Sequence, residues 1–527
     1  MNARGLSNVR TAQLEGERDP WSAARRRRSL QAGVLALGCG AVLSLGCGSD
    51  SGGGHLGDAG LFGGSGGDAG SGASGGNGAS SGSGASGGDG ASGGDAGSGA
   101  GGSGATGASG GNGASGGSGG APQNLTDRIE VSTVGVGQGV AGGVSNWRIW
   151  GRGSLHVAPV FTVPRGDCST LVCYTAQGGG ARLVEVSHEG ARVSEQELHA
   201  SRVCRGLAAA PDGSYAALLW DSSAQRIYVH RYGAAGAALS PITELTNSDN
   251  KPTDFGIGES RLEYGNGRYG AYYHVHSNDG HEGDTLKWVD AATGAESTGW
   301  GWGCSHSMSN LLRYNPAGQQ FMPACVTDCY PGTNGSFATN SQGGIYLNHR
   351  TSKVMDVNAG CNGSVAGELG GAALAPAGFK LVFNAHQAPL TLGQQSYDRT
   401  TMNQDIGFAS IGGSLESSPV VWLTSTPGVD EADATIARWQ PSGGAAEEYL
   451  VGYAVPGSPY TYWLGRVSPN GEWLAPAEDV SHVVGWGRRD DPFRTDKNGD
   501  VVWSWFSGPG STELHQARVK TGASCTP

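Results

Sequence analysis

From Asn124 to the C-terminus, hydrophobic positions fall in short runs rich in Val, Tyr, Leu and Trp, separated by Gly, Pro, Asn and Asp. Long stretches with the helical period are scarce, so the pattern predicts an all-β domain. One unit recurs within it, a Gly-containing turn followed by a strand that opens on an aromatic or aliphatic residue. Its copies are PDGSYAALLW at Tyr215, YGNGRYGAYY at Tyr269, NPAGQQFMPAC at Phe321, APAGFKLVF at Phe379, PSGGAAEEYLVGY at Tyr449 and DKNGDVVWSW at Val501. STLVCYTA at Leu171 is a looser copy that lacks the turn. A spacing of roughly forty to seventy residues fits one four-stranded propeller blade per copy.

The finer pattern supports this reading. Tyr215–Asp221 and RIYVHR at Arg226–Arg231 read as neighbouring strands, with Leu239–Leu245 following the Gly233–Gly236 turn. Thr461–Val467 and Trp473–Val480 repeat the scheme around Pro469-Asn470-Gly471, where Asn-Gly is a hairpin signal. The expected fold is a single β-propeller of about seven four-stranded blades, with strand Ile129–Val136 completing the last blade. Rings of six or eight blades, or a pair of two-sheet sandwiches, are the alternatives.

Composition changes the picture mainly at the N-terminus. Gly accounts for 96 of 527 residues, and much of it lies in residues 48–121, a Gly/Ser/Ala-rich stretch with GGDAGSGASGGNG-like units. That composition cannot build a core and predicts a disordered tether. Residues 122–527 form the expected folded domain. Residues 1–47 carry the charged-then-apolar order of an export signal, with Arg25–Arg28 ahead of the run Leu30–Gly46. Leu45-Gly46-Cys47 resembles a bacterial lipobox, which implies lipidation at Cys47, although Ser44 stands where that motif usually has Leu. Lipobox and tether together resemble the surface lipoproteins of myxobacterial-type bacteria. The resemblance covers about the first 120 residues and implies a location, at the outer membrane or cell surface or else periplasmic or secreted. The folded part resembles secreted β-propellers in general.

A net charge of −12 argues against nucleic acid or anionic lipid as a partner. The expected membrane association is through the lipid anchor alone, and the chain is expected to be a monomer. Of ten cysteines, Cys39 and Cys47 belong to the leader. The remaining Cys168, Cys173, Cys204, Cys304, Cys325, Cys329, Cys361 and Cys525 are an even set, expected to form disulfides in an exported chain. Their clustering suggests bonds within 168–204 and within 304–361, with Cys525 tying the C-terminus to the first blade. The rival for Cys325-x₃-Cys329 is a metal–thiolate site.

The densest candidate chemistry lies between Arg268 and Ser307. His274 and His276 are two apart on a predicted strand, so their side chains leave one face about 7 Å apart, close enough to share a cation. The turn Ser277–Gly280 brings back His281, Glu282 and Asp284, and His306 arrives at the next blade. His274, His276, His281 and His306 are the candidate metal ligands, suited to Cu, Fe or Zn. Glu282 and Asp284 are the candidate catalytic carboxylates. The competing reading has these histidines hydrogen-bonding inside the blade.

Further candidates sit in strand-end loops. Trp300 and Trp302 would stack a sugar or pack between blades. Asp328 and His386 follow strands of the next two blades. Arg488 and Arg489 would grip a carboxylate or pair with acids in their own loop. Asp496-Lys497-Asn498-Gly499-Asp500 looks like part of a Ca²⁺ loop but reads better as a hairpin turn. Two functions fit: a lipid-anchored propeller binding an extracellular glycan or peptide through one loop face, or a metal-dependent extracytoplasmic enzyme built on the His cluster. The fold cannot choose between them.

Overall fold

The computed structural model describes residues 124–143, 158–245, 260–276, 282–300, 303–304, 309–327, 343–348, 352–357, 367–389, 403–441, 446–486 and 491–525, with the backbone alone at His276 and Glu282. All lie in the unit Gly111–Pro527.

Alternating apolar strands joined by tight turns can bury both faces only by stacking sheet on sheet, and here seven four-stranded antiparallel sheets do so. Blade one comprises Phe161–Pro164, Thr170–Thr175, Ala181–Val186 and Arg192–His199. Blade two comprises Val203–Ala209, Tyr215–Asp221, Arg226–Tyr232 and Ala238–Leu245. Blade three holds Ser260–Gly265, Arg268–His276, Glu282–Asp290 and Glu296–Trp300, and blade four Asn310–Asn315, Gln320–Thr327, Gly344–Leu347 and Ser352–Asp356. Blade five holds Gly367–Ala375, Gly378–Ala385, Asp405–Ile411 and Val421–Trp422, and blade six Ala432–Trp439, Glu448–Val455, Thr461–Val467 and Glu478–Asp479. In blade seven, Arg494–Thr495, Val501–Phe506 and Glu513–Val519 are joined by the early strand Ile129–Gly135. The fold is a seven-bladed β-propeller.

The recurring residue of the sequence marks the second strand of every blade. Leu171, Tyr215, Tyr269, Phe321, Phe379, Tyr449 and Val501 all stand at the start of that strand and are all buried. Each full burial contributes about 1.5–3 kcal/mol. One strand is shorter than the sequence pattern suggests. In place of Trp473–Val480, only a bridge from Val467 to Trp473 and a pair of residues, Glu478–Asp479, join the sheet. Trp473 turns its indole N–H to Leu423 O at 2.6 Å, which takes the segment out of ladder geometry.

Ring closure is antiparallel, Ile129 opposite Val519 through Gly135 opposite Glu513. It covers the outer edge of blade seven with a strand from the other end of the domain. Glu478 fixes the approach to that strand, accepting from the Leu125 N–H at 2.8 Å and the Thr126 hydroxyl at 2.9 Å. Three cysteine pairs, all in the regions where the spacing suggested them, reinforce the ring. Cys168–Cys525 ties the C-terminus to blade one, Cys173–Cys204 joins blades one and two, and Cys304–Cys325 links the connection out of blade three to blade four. Cys329 and Cys361 lie outside the described residues.

Arg231 shows how blades are stitched together. Its buried guanidinium donates to Ala291 O and Ala292 O at 2.8 Å, and to Ser240 O at 2.9 Å. Gly294 lies so close that a Cβ there would stand 2.5 Å from Arg231 Nη2, and its φ of +77° also favours glycine.

Candidate functional site

An antiparallel meander sorts its connections by end. Links from second to third strand, and from an outer strand to the next blade, all fall at the end where the first strands begin. The longest are here: 136–160, 246–259, 328–343, 386–404 and 480–493. The opposite end is closed largely by tight turns such as 210–214, 266–267, 291–295 and 376–377, and its longer connections, 412–420, 440–447 and 468–477, stay within about ten residues. Every ligand-binding or metal candidate from the sequence lies on, or at a strand end beside, a connection at the end that carries the longest ones.

Of the four candidate imidazoles, only His274 has a described side chain. His274 pairs with Asp284 across the second and third strands of blade three, and His276 with Glu282. Directly opposed residues share a face of the sheet, and His274 and Asp284 are both buried, 2% and 1% exposed. Asp284 has specific partners. The Tyr272 hydroxyl donates to Oδ2 and the Cys304 N–H donates to Oδ1 at 2.9 Å, while Asp284 O accepts from the Gly303 N–H at 2.7 Å. With Cys304 bonded to Cys325, the carboxylate braces the crossing from blade three to blade four. His281 and His306 lie outside the described residues, as do Trp302, Asp328, Arg488, Arg489 and Cys47, and so do the side chains of His276 and Glu282.

Trp300 is half-buried against the blade three–four core, edge-on to Tyr272 with ring centroids 5.8 Å apart. His386 closes its own turn, Nδ1 lying 2.8 Å from Ala388 O and 3.2 Å from Ala388 N. The segment Asp496–Asp500 is a hairpin turn, as its sequence suggests: Asp496 N–H donates to Asp500 O at 2.9 Å, and Gly499 has φ +86°. Arg518 binds both of its carboxylates. Two of the three described clusters of His, Cys and carboxylate contain disulfide-bonded cysteines, and the third, His188 with Asp496 and Asp500, includes the Arg518 partners.

The feature that sequence reasoning missed is inside the channel. First strands of all seven blades surround a cavity of about 370 Å³, in the half of the channel where those strands end. A chain of charges crosses this space. Glu263 of blade three lies 3.6 Å from Arg313 of blade four, Arg313 pairs with Asp491, and Asp491 accepts from Arg494 of blade seven at 3.3 Å. Asp491 arrives on the connection from blade six and presses on blade five, where a Cβ at Gly371 would meet its Oδ1 at 2.5 Å. Burial pushes the Asp491 carboxyl up to about 7, against the pull of Arg313 and Arg261. Glu263 is likewise raised to about 7 by burial, opposed by Arg313. The available signal was charged residues inside otherwise apolar strands, Arg261 and Glu263 in SRLEYG and Arg313 in NLLRYN.

No known family model matches this chain, and no curated protein does. Among solved structures it is similar to the β-propeller domain of the Trilobed protease from Pyrococcus furiosus, at 9% identity and TM-score 0.35 over 66% of this chain and 91% of that one. It is also similar to AofleA from Arthrobotrys oligospora, at 8% identity and TM-score 0.32 over 68% and 91%. A third similarity is to a mutant of Synechocystis apocarotenoid oxygenase, at 11% identity and TM-score 0.37 over 62% and 73%. These are distant likenesses, and the propeller assignment rests on the seven sheets themselves.

Proposed function

We propose that this chain is an exported, lipid-anchored binding module, displayed on its Gly/Ser/Ala tether and engaging an extracellular glycan or peptide through one end of the propeller. The observation that carries the reading is the unequal elaboration of the two ends. Hairpin turns of minimal length suffice to close a blade, so long connections gathered at one end are the economical place for recognition. The lipobox-like Cys47 and the tether supply the display.

Two experiments test it. Cys47→Ala should move the full chain from the membrane fraction to the soluble fraction. Replacing 386–404 by an Asn-Gly turn should abolish binding of the full chain to purified cell-envelope polysaccharide or its peptide cross-links, while altering the opposite 210–214 turn should leave it intact. Absence of binding by the unaltered chain, or the reverse pattern of losses, would sink the reading.

The His274–Asp284 pairing at the same end favours a second reading, a Cu-, Fe- or Zn-dependent enzyme. It requires stoichiometric metal in the full chain recovered from its export route, lost in the double variant His274→Ala/His276→Ala. Protein without metal rejects it.

A further inference from the structure

We propose that Cys168, Cys525 and His188 are the ligands of a Zn²⁺ site that their disulfide keeps shut and that reduction opens. The three residues come from separate segments that meet where blade seven joins blade one. Cys168 lies in the turn 165–169 between the first two strands of blade one, and His188 in the turn 187–191 between its third and fourth. Cys525 stands beyond the last strand, Glu513–Val519. Both sulfurs and a ring nitrogen of His188 lie within 4.8 Å of one another. This is the end of the tight turns, so the site is separate from the long connections.

His188 is the residue that points to a ligand. Its Nδ1 is buried and has no hydrogen-bond partner, an arrangement that proteins rarely keep without a use for it. Asp496 and Asp500 each bring a carboxylate oxygen within 4.8 Å of a His188 ring nitrogen, yet both acids are already engaged. Arg518 binds the two of them. The Asp500 and Asn498 N–H groups donate to Asp496 Oδ1 at 3.0 and 3.1 Å, and Thr521 donates to Asp500 Oδ1 at 2.7 Å from its N–H and from its hydroxyl. The carboxylates therefore border the site, and the imidazole and the two sulfurs are its ligands.

While they are bonded to each other, the sulfurs cannot act as thiolate ligands. Exchange with a dithiol passes two electrons to the bond. The Cys168–Cys525 S–S bond breaks, each sulfur takes one proton from the reductant, and the dithiol closes to its own disulfide. Zn²⁺ then displaces both thiol protons. Two thiolates and an imidazole suit Zn²⁺ and not Mg²⁺ or Ca²⁺, with water in the fourth tetrahedral position. At Zn–S distances of about 2.3 Å the sulfurs stand about 3.8 Å apart, an opening that Cys525 can supply because it lies outside every sheet. Access is selective among the three described pairs. Cys525 is half-buried, whereas Cys173, Cys204, Cys304 and Cys325 are all exposed by 2% or less.

The test is zinc titration, against a chromophoric chelator, of the full chain reduced with a dithiol and freed of it by anaerobic gel filtration. The reduced chain should bind a Zn²⁺ that the oxidised chain does not, with a Kd below about 1 µM. His188→Ala and Cys525→Ser should each weaken that binding by about a hundredfold or more, whereas the double variant His274→Ala/His276→Ala should keep it. Zinc taken up elsewhere on reduction, as by Cys329 and Cys361, persists in both single variants and is subtracted. With Co²⁺ as the probe, the reduced chain should show a thiolate-to-metal charge-transfer band that His188→Ala weakens. Equal zinc in the oxidised and reduced chains, or a gain on reduction that either His188→Ala or Cys525→Ser leaves intact, overturns the proposal.

Discussion

Arg313 and Asp491, 178 residues apart in sequence, form a buried ion pair between blade four and the connection that enters blade seven. The pair spans the channel, because Asp491 also holds Arg494 and Arg313 also faces Glu263. Removing one member of a buried pair strands the other in a low-dielectric setting.

Arg313→Leu is therefore expected to destabilise the domain by about 3–5 kcal/mol. Asp491→Asn should cost less, because burial already brings its carboxyl to about 7, where neutral and charged forms are comparable. The double variant should be less destabilised than the sum of the two, a non-additivity read from urea midpoints.

The same acid sets a pH dependence. Folded Asp491 titrates near 7 rather than near its ordinary 3.8, so the folded state binds the proton more tightly than the unfolded chain does. Its contribution is fully present below about pH 4 and lost as the pH rises through about 7. Asp491→Asn should flatten the decline in stability between about pH 4 and 7, measured by denaturant unfolding at each pH.

His230 works in the opposite sense. It is buried, its Nε2 lies 2.8 Å from Arg202 Nη1, and burial, with Arg202 and His199, lowers it to about 4. The unfolded imidazole protonates near 6.5, so the stability it contributes is present above that pH and lost as the pH falls through about 4. His230→Gln should unfold less steeply with acid between about pH 6 and 4, followed by circular dichroism.

Ring closure depends on both chain ends. A chain beginning at Gly137 lacks Ile129–Gly135, and Glu513–Val519 becomes an open edge. Such a chain is expected to lose its cooperative thermal transition and to aggregate on gel filtration. Breaking Cys168–Cys525 by paired Ser substitutions should cost about 2–5 kcal/mol with the fold retained, and peptide mapping of the unaltered chain without reductant should recover all three pairs.

Asp284→Ala removes the carboxylate that accepts from the Tyr272 hydroxyl and the Cys304 N–H. Losing hydrogen bonds to a buried charged group costs about 1–3 kcal/mol, so the variant should melt lower, whatever its effect on metal content. Glu282, next but one along the strand, provides the comparison. If Asp284 is a brace and Glu282 is not, Glu282→Ala should leave the melting temperature nearly unchanged in differential scanning calorimetry.

The sequence by itself determined the all-β class, the seven second strands and the strand that closes the ring. Each of these is written in local pattern: a turn residue, a following apolar residue and a short hydrophobic run. Tyr215, Tyr269, Phe379 and Tyr449 could be placed because a Gly-containing turn and the apolar run after it mark a strand start without reference to distant residues. The regions that pair through disulfides followed from cysteine clustering for the same reason. Only the tertiary structure decided what meets in the channel and what Asp284 does. Glu263, Arg313, Asp491 and Arg494 come from four separate segments, and no local period relates them; they touch because seven twisted sheets close into a ring. Asp284, a candidate catalytic carboxylate from its place beside histidines, also accepts from the Cys304 N–H on the crossing into blade four, a contact that its sequence neighbourhood does not show. Charge across a closed ring is set by which blades face each other, a relation that linear spacing does not encode.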